Sequence, residues 1–226
     1  MRVRLFRPRL LLTLSALLVA GCATVYEGKL DPTLFLRSPA SVGTKLNGQV
    51  VLIADVALTQ FKYERAKGLQ KLVIPIGPIV EAAAVAALSD EFGRSVAQYP
   101  SPEAAIEANR SVTQLTLVVP RPVQFEHHDE YLPLITPWFV IPINVRQDVR
   151  LIVDWQVLDA DGKLRWTKRY DSGDVKLPFN RTDDRDIKPE HYFAHLAHEA
   201  AYTLMRQAAH DVRDWIESER LRERVL

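Results

Sequence analysis

The residues best placed to do chemistry are three histidines in the C-terminal part of the chain. His191, His195 and His198 are four and three residues apart, so a helix would carry them on one face. Zinc sites use imidazole nitrogens in such sets. The order matches neither His-Glu-x-x-His nor His-x-x-Glu-His, and the face lies away from the apolar stripe of the same segment. The spacing leaves open a weak metal site or an exposed polar face; the polar face is favoured, and no metal is expected.

Other polar clusters resemble no catalytic motif. His127 and His128 precede two acidic residues and indicate a turn, with metal or pH sensing as the alternative. Asp183, Asp184 and Asp186 lack the glycine and glutamate of a calcium loop. The chain has no Gly-x-Ser-x-Gly elbow, phosphate-binding glycine loop or dinucleotide fingerprint. The sequence therefore predicts a non-catalytic protein without a cofactor.

The single cysteine, Cys22, ends a segment that resembles a bacterial lipoprotein signal. Four arginines and no acidic residue precede an apolar run at 10–20. This run is too short for a membrane-spanning helix, which needs about 20 residues. Residues 18–22, Leu-Val-Ala-Gly-Cys, resemble a lipobox. The resemblance implies that 1–21 are a cleaved signal peptide and that Cys22 carries lipid. An ordinary secretion signal or an uncleaved anchor is the alternative.

Lipid on Cys22 would anchor the chain to a membrane, since several acyl chains bind stably where one binds reversibly. Ala23 rather than aspartate follows the cysteine. In the sorting that the lipoprotein resemblance implies, this favours the outer membrane over the inner one, with the body facing the periplasm. Loss of 1–21 changes the net charge from +1 to −3, which gives no sign of a nucleic-acid partner. Residues 22–48 show no periodicity and predict a tether, and 49–226 predict a single domain.

An almost wholly apolar segment at 131–142 is the favoured partner-binding candidate. It contains three prolines and connects two predicted strands, so it is expected to be a surface loop. Exposed apolar segments usually mark a protein or membrane contact. The alternatives are that it folds back over the core, or that 139–143 begin the next strand. The candidate contact residues are Tyr131, Leu134, Ile135, Trp138 and Phe139.

Hydrophobic periodicity predicts the elements that carry these residues. An apolar run at 50–58 indicates a buried strand, and alternating patterns at 115–125, 145–157 and 164–170 indicate three half-buried strands. Gly77-Pro78 begins a helix expected to end near Tyr99, and Pro189 begins a long C-terminal helix. The predicted fold is an α+β two-layer sandwich of order roughly β-α-β-β-β-α. Its sheet is mostly antiparallel, with two main helices on one face.

This order, together with the lipobox, the helix at Gly77-Pro78 and the strand pair around 149–166, resembles small envelope lipoproteins. These have a fold similar to the N-terminal domain of TolB and include LpoB- and YajG-type proteins. The resemblance implies a non-enzymatic interaction or assembly protein of the cell envelope. Its partners would be the membrane, through the anchor, and an unidentified envelope protein. A carrier of lipid or another small ligand, and a metal-dependent enzyme using the three histidines, are the alternatives.

Overall fold

A computed structural model describes residues 24–27, 48–67, 70–135, 140–176 and 189–225. The strands of this part are β1 (Thr24–Glu27), β2 (Gln49–Ile53), β3 (Tyr63–Lys67), β4 (Gln70–Ile74), β5 (Ala97–Tyr99), β6 (Leu115–Ile135), β7 (Val140–Leu158) and β8 (Leu164–Asp171). Its helices are α1 (Val56–Thr59), α2 (Ile76–Phe92), α3 (Pro102–Ala108) and α4 (Pro189–Val225). Within the described ranges, no helix is long and apolar enough to cross a membrane.

The main sheet has the strand order β5-β2-β6-β7-β8. β2 pairs in parallel with β5 and β6, whereas β6, β7 and β8 are antiparallel. Helices α2 and α4 pack together on one face of this sheet and share one hydrophobic core with it. The predicted α+β sandwich with two main helices on one face is confirmed.

The core side of β7 has the period that the sequence predicts. Val149, Leu151, Val153, Trp155 and Val157 are all buried against the helices. From α4, small residues and Leu204 face them, and this lets the helix backbone approach the sheet closely. The opposite face of β2 and β6 has its own smaller core, covered by Ala105 and Ile106 of α3.

Helix α2 begins where predicted but ends earlier. At its start, Gly77 donates its N–H to Phe61 O at 2.7 Å and lies against Leu58, so that a Cβ on Gly77 would be 1.7 Å from Leu58 O. The helix ends at Phe92 rather than near Tyr99, because Gly93 adopts a left-handed conformation (φ 61°) that closes the last turn. The residues beyond it form β5 instead.

Register shifts move two residues that were predicted to face the core. The β6–β7 ladder passes from Pro122 to Gln124, which leaves Val123 in a bulge and 45% exposed. The bulge returns Phe125 to the helix side of the sheet. A second shift, at Leu158, leaves Leu164 of β8 55% exposed.

A second sheet has the order β1-β4-β3, and it corrects the predicted tether. Residues 24–27 were expected to be irregular, but they form β1, which pairs in parallel with β4 from Thr24↔Gln70 to Glu27↔Val73. The folded part therefore includes residues well before the predicted boundary at 49. Cys22 itself and residues 28–47 lie outside the described residues.

Candidate functional site

The most unusual feature of the described chain is the length of the β6–β7 ladder. Its pairing runs from Leu117↔Leu158 to Ile135↔Val140. β2 pairs with β6 only as far as Val118, and β8 with β7 only over residues 152–158. Beyond the bridge between Val149 and Val175, no third strand among the described residues joins the ladder. Residues 128–135 and 140–148 therefore form a two-stranded extension, here called the ribbon.

The ribbon contains the predicted contact segment, and it corrects the expectation of a loop. Tyr131, Leu134 and Ile135 lie on β6 in antiparallel pairing with β7, and a register shift separates Tyr131 from Glu130. Val140 begins β7, so the alternative of a strand beginning near 139–143 describes this part better. Trp138 and Phe139, in the connection between the strands, lie outside the described residues.

Pro133 and Pro142 face each other within this ladder. Prolines are tolerated at strand edges because their missing N–H is not needed for pairing there. The two prolines therefore fit a ribbon whose edges are joined by no other strand of the described ranges, and they make those edges poorer templates for another strand.

A buried acid stabilises the base of the ribbon. Asp148 has no exposed surface, and its Oδ1 lies 3.0 Å from His128 Nδ1 on the opposite strand. The hydrogen bond between the imidazole and this carboxyl group offsets part of the cost of removing the acid from water. His128 was expected in a turn and instead lies within β6, opposite Asp148 of β7. No sequence signal marks the acid as buried, because its cover depends on the tertiary fold.

The neighbouring histidine, His127, faces the second sheet. Its ring packs edge-on against Tyr63, with ring centroids 6.0 Å apart, and Arg65 Nη1 lies 3.4 Å from its Nδ1. Tyr63 also contacts Phe125, with ring centroids 5.2 Å apart. These contacts join β3 to β6 just before the ribbon begins.

The three histidines of α4 do not share one exposed face. His198 is only 2% exposed, His195 is half-buried, and the side chain of His191 lies outside the described residues. The prediction of exposure is wrong for His198. The apolar stripe of α4 is wider than expected, since Leu196, Ala197, Ala200 and Ala201 are all buried around it. Within the described part of the chain, no three His, Cys, Asp or Glu side chains come together as a metal site would require.

A small cleft lies at the other end of the sheet, near Gly48, Gln114 and Trp215. Its volume is about 220 Å³. An adjoining, more open depression beside Gly48, Arg94 and Val112 has about 560 Å³, within the range of about 300–1,000 Å³ typical of small-molecule sites. Arg220 Nη2 donates to Gln114 Oε1 at 3.2 Å, and Arg94 donates to the carbonyl of Gly48. Val50, Phe92 and Ile216, which belong to the core between sheet and helices, line the cleft. Arg94, Glu219 and Arg220 line it as well, and these charged residues do not favour an acyl chain over a polar ligand.

Ionisable groups beside α4 tie the helix to the sheet. Tyr170 donates its hydroxyl proton to Asp211 Oδ2 at 2.6 Å, and Lys168 Nζ lies 2.5 Å from the same oxygen. Burial and the hydrogen bond to Asp211 raise the pKa of Tyr170 far above its usual value. Burial opposes ionisation of Asp211, but the hydrogen bonds from Lys168 and Tyr170 prevail and lower its pKa. The phenol therefore stays protonated and the acid ionised, which suits structural contacts.

No protein-family model matches the chain, and no curated protein matches its sequence. A neuraminyllactose-binding hemagglutinin homolog from Helicobacter pylori has a similar structure, with 10% identity and a TM-score of 0.50 over 84% of this chain and 97% of that one. PelC from Paraburkholderia phytofirmans, solved as a dodecamer, is 13% identical with a TM-score of 0.32 over 73% and 94%. A minor lipoprotein from Acinetobacter baumannii is 14% identical with a TM-score of 0.29 over 73% and 94%. The first similarity shows the fold alone, and the other two are too distant to inform function.

Proposed function

We propose that the chain is a lipid-anchored protein of the bacterial cell envelope that acts by binding another envelope component and not by catalysis. The ribbon is the observation that carries this proposal. A two-stranded hairpin is marginally stable in water on its own. Residues 131–145 contain no Asp, Glu, Lys, Arg or His, so water solvates this segment poorly. A segment of this kind gains stability when a partner covers it.

The anchor is Cys22 in this proposal. Its thiol receives the lipid after the signal peptide at 1–21 is removed, and Ala23 directs the protein to the outer membrane, facing the periplasm. The position of β1 supports a short distance between lipid and body, since Thr24 is already paired with Gln70. A body held this close to the membrane meets only components at or near its surface.

The charged groups of the sheet support a non-catalytic role. Arg169 Nε lies 2.7 Å from Asp154 Oδ1, and a hydrogen bond from this guanidinium lowers the pKa of Asp154. Arg150 in the same way holds the pKa of Asp171 at about 2. A general acid or base works best with a pKa near the working pH. These carboxylates are ionised and paired, and they stabilise the sheet.

The contact is tested by replacing both aromatic residues of the ribbon connection, Trp138→Ser with Phe139→Ser, in the full-length protein. A photo-reactive residue at Ile135 is crosslinked in intact cells, and the products are identified by mass spectrometry. The double variant should lose the crosslinked product while keeping its thermal midpoint, because the contact is with a partner and not with the core. Leu164→Ser is the matched control, since Leu164 is an exposed apolar residue on the same sheet but away from the ribbon.

Two results would contradict the proposed contact. If the double variant unfolds while Leu164→Ser does not, the connection belongs to the core. If the crosslinked products of wild type and variant are identical, the ribbon is not the contact surface. The anchor is tested separately by the mass of the N-terminal peptide, and Cys22→Ser should abolish both processing and membrane retention.

A further inference from the structure

The start of β1, two residues after Cys22 in the sequence, and the ribbon lie at the same end of the described chain. Tyr63 packs against Phe125, and Arg65 reaches His127, so β3 and β6 advance in the same direction at this point. β4 runs antiparallel to β3, and β1 runs parallel to β4. The first residue of β1, Thr24, is therefore at the end of the second sheet toward which the ribbon extends.

The strand register gives approximate distances along this direction. Arg65 marks the level of His127, and Lys67, opposite Gln70 and hence beside Thr24, lies about 7 Å further at about 3.3 Å per residue. Cys22 precedes Thr24 by two residues in the sequence, so the chain between them spans at most about 7 Å. The ribbon continues from His127 to Ile135, about 26 Å. Its end at Ile135 therefore reaches roughly 19 Å beyond the level of Thr24.

The ribbon changes from charged to uncharged residues close to the level of Thr24. Glu130 and Arg146 are paired in the ladder and are the last charged residues before the connection. Beyond them come Tyr131 and the uncharged segment that ends at Val145. Charged residues near the level of Thr24, followed by tyrosine and then by apolar residues, match the change from headgroups to acyl chains in a bilayer.

Prolines lower the number of unpaired backbone N–H groups that a ribbon would expose to lipid. A two-stranded ribbon has free N–H and C=O groups along both edges, and each is costly in hydrocarbon. Pro133, Pro137 and Pro142 have no N–H, which lowers the number of unpaired donors in this segment. The remaining groups can be hydrated if the ribbon stays at the boundary of headgroups and acyl chains, about 5–10 Å deep.

We propose that the apolar end of the ribbon enters the interface of the same membrane that holds the lipid on Cys22. The component that the ribbon binds is then bilayer lipid. This inference rests on the lipid anchor of the proposed function. It adds a second, protein-made attachment that fixes the orientation of the body against the membrane.

The test uses full-length lipidated protein in vesicles of phosphatidylethanolamine and phosphatidylglycerol that contain no other protein. Because lipid occupies Cys22, an introduced cysteine can be labelled alone with bimane. The chosen sites are Leu134→Cys in the ribbon and Leu164→Cys on β8 as the control. Nitroxide-bearing phospholipid should quench at least about half of the bimane emission at 134, and iodide in the water should quench little of it. The control at 164 should show the reverse.

The inference is overturned if iodide quenches the label at 134 as strongly as the label at 164 and nitroxide lipid quenches neither. Equal thermal midpoints show that the labelled proteins are folded. If Leu134→Cys is unstable, Ile141→Cys, its ladder partner, replaces it. Flotation with the vesicles reports the anchor independently. Flotation without lipid quenching, together with a crosslinked protein at Ile135 in cells, would retain the proposed function and reject bilayer lipid as the partner.

Discussion

Asp148 is completely buried beside a histidine that retains 43% of its side-chain exposure, and their side chains meet at 3.0 Å across the β6–β7 ladder. The contact lies where the ladder leaves the main sheet and continues as the ribbon. Bulky apolar side chains stabilise the ladder on the side of the sheet, whereas the ribbon itself has no third strand among the described residues. The His128–Asp148 contact therefore stabilises the pairing of β6 and β7 at the point where the ladder leaves the main sheet.

Replacing His128 with alanine should destabilise the fold by about 1–3 kcal/mol, because a buried acceptor loses a hydrogen bond. Asp148→Asn should cost less, since the amide oxygen still accepts from His128. In a double-mutant cycle measured by urea unfolding, His128→Ala and Asp148→Ala, each of which removes the contact, should be non-additive. Additive losses would show that the two side chains act independently.

Replacing Gly77 with alanine should destabilise the protein by at least about 2 kcal/mol. The new methyl group would lie 1.7 Å from the backbone oxygen of Leu58, so α1 or α2 must shift. Gly93→Ala is the control, because its Cβ meets no atom within 4 Å and it costs only the left-handed conformation, about 1 kcal/mol. Thermal unfolding compares the two variants. Equal losses would mean that the approach of Gly77 to Leu58 does not limit packing.

Asp171→Asn should lower stability at neutral pH by about 0.5–1 kcal/mol, a small effect because the pair with Arg150 is partly exposed. The arginine lowers the folded-state pKa of Asp171 from 3.8 to about 2. The ionised acid therefore contributes its full stabilisation above pH 3.8, and the contribution is lost as the pH falls to about 2.

The difference in unfolding free energy between wild type and Asp171→Asn should accordingly vanish over that interval. Added salt should reduce the difference at pH 7, since the pair faces water. Arg150→Gln should produce the same pH dependence, with no further loss when both changes are combined. A difference that stays constant from pH 7 to pH 2 would contradict the assignment.

Local periodicity correctly predicts which side chains face the helices wherever apolar and polar residues alternate without interruption along a strand. Val153 and Trp155 of β7 face the helices because residues two apart share one side of a strand. The same rule fails at Val123, because a bulge adds one residue and reverses the alternation. The strand at Thr24 was missed for another reason: its pairing partner, Gln70, is distant in the chain, and no local pattern reports that contact.

Two further features of the fold have local signals in the sequence, the start of α3 and the end of α2. Ser101-Pro102 is a helix start, and Ser101 Oγ accepts from Ala104 N at 3.2 Å at the beginning of α3. Gly93 is the signal for the end of α2, because glycine readily adopts the left-handed conformation that ends a helix. For the candidate site, the composition of the apolar segment identified its residues, but its extension as a ribbon depends on where β2 and β8 stop pairing. That is a property of the whole sheet.

The different burial of two histidines on α4 leads to a test of the metal alternative. His198 is 2% exposed within the core side of the helix, whereas His195 is half-buried. His198→Ala should destabilise the protein by about 1–3 kcal/mol through lost packing, and His195→Ala should have an effect near zero. Because His198 is enclosed, it cannot join His191 and His195 around one ion without opening the core.

Added zinc should therefore leave the thermal midpoint of wild type and both variants unchanged, whereas a bound ion would raise it for wild type alone. Such a rise, lost in His195→Ala, would restore the zinc-site hypothesis.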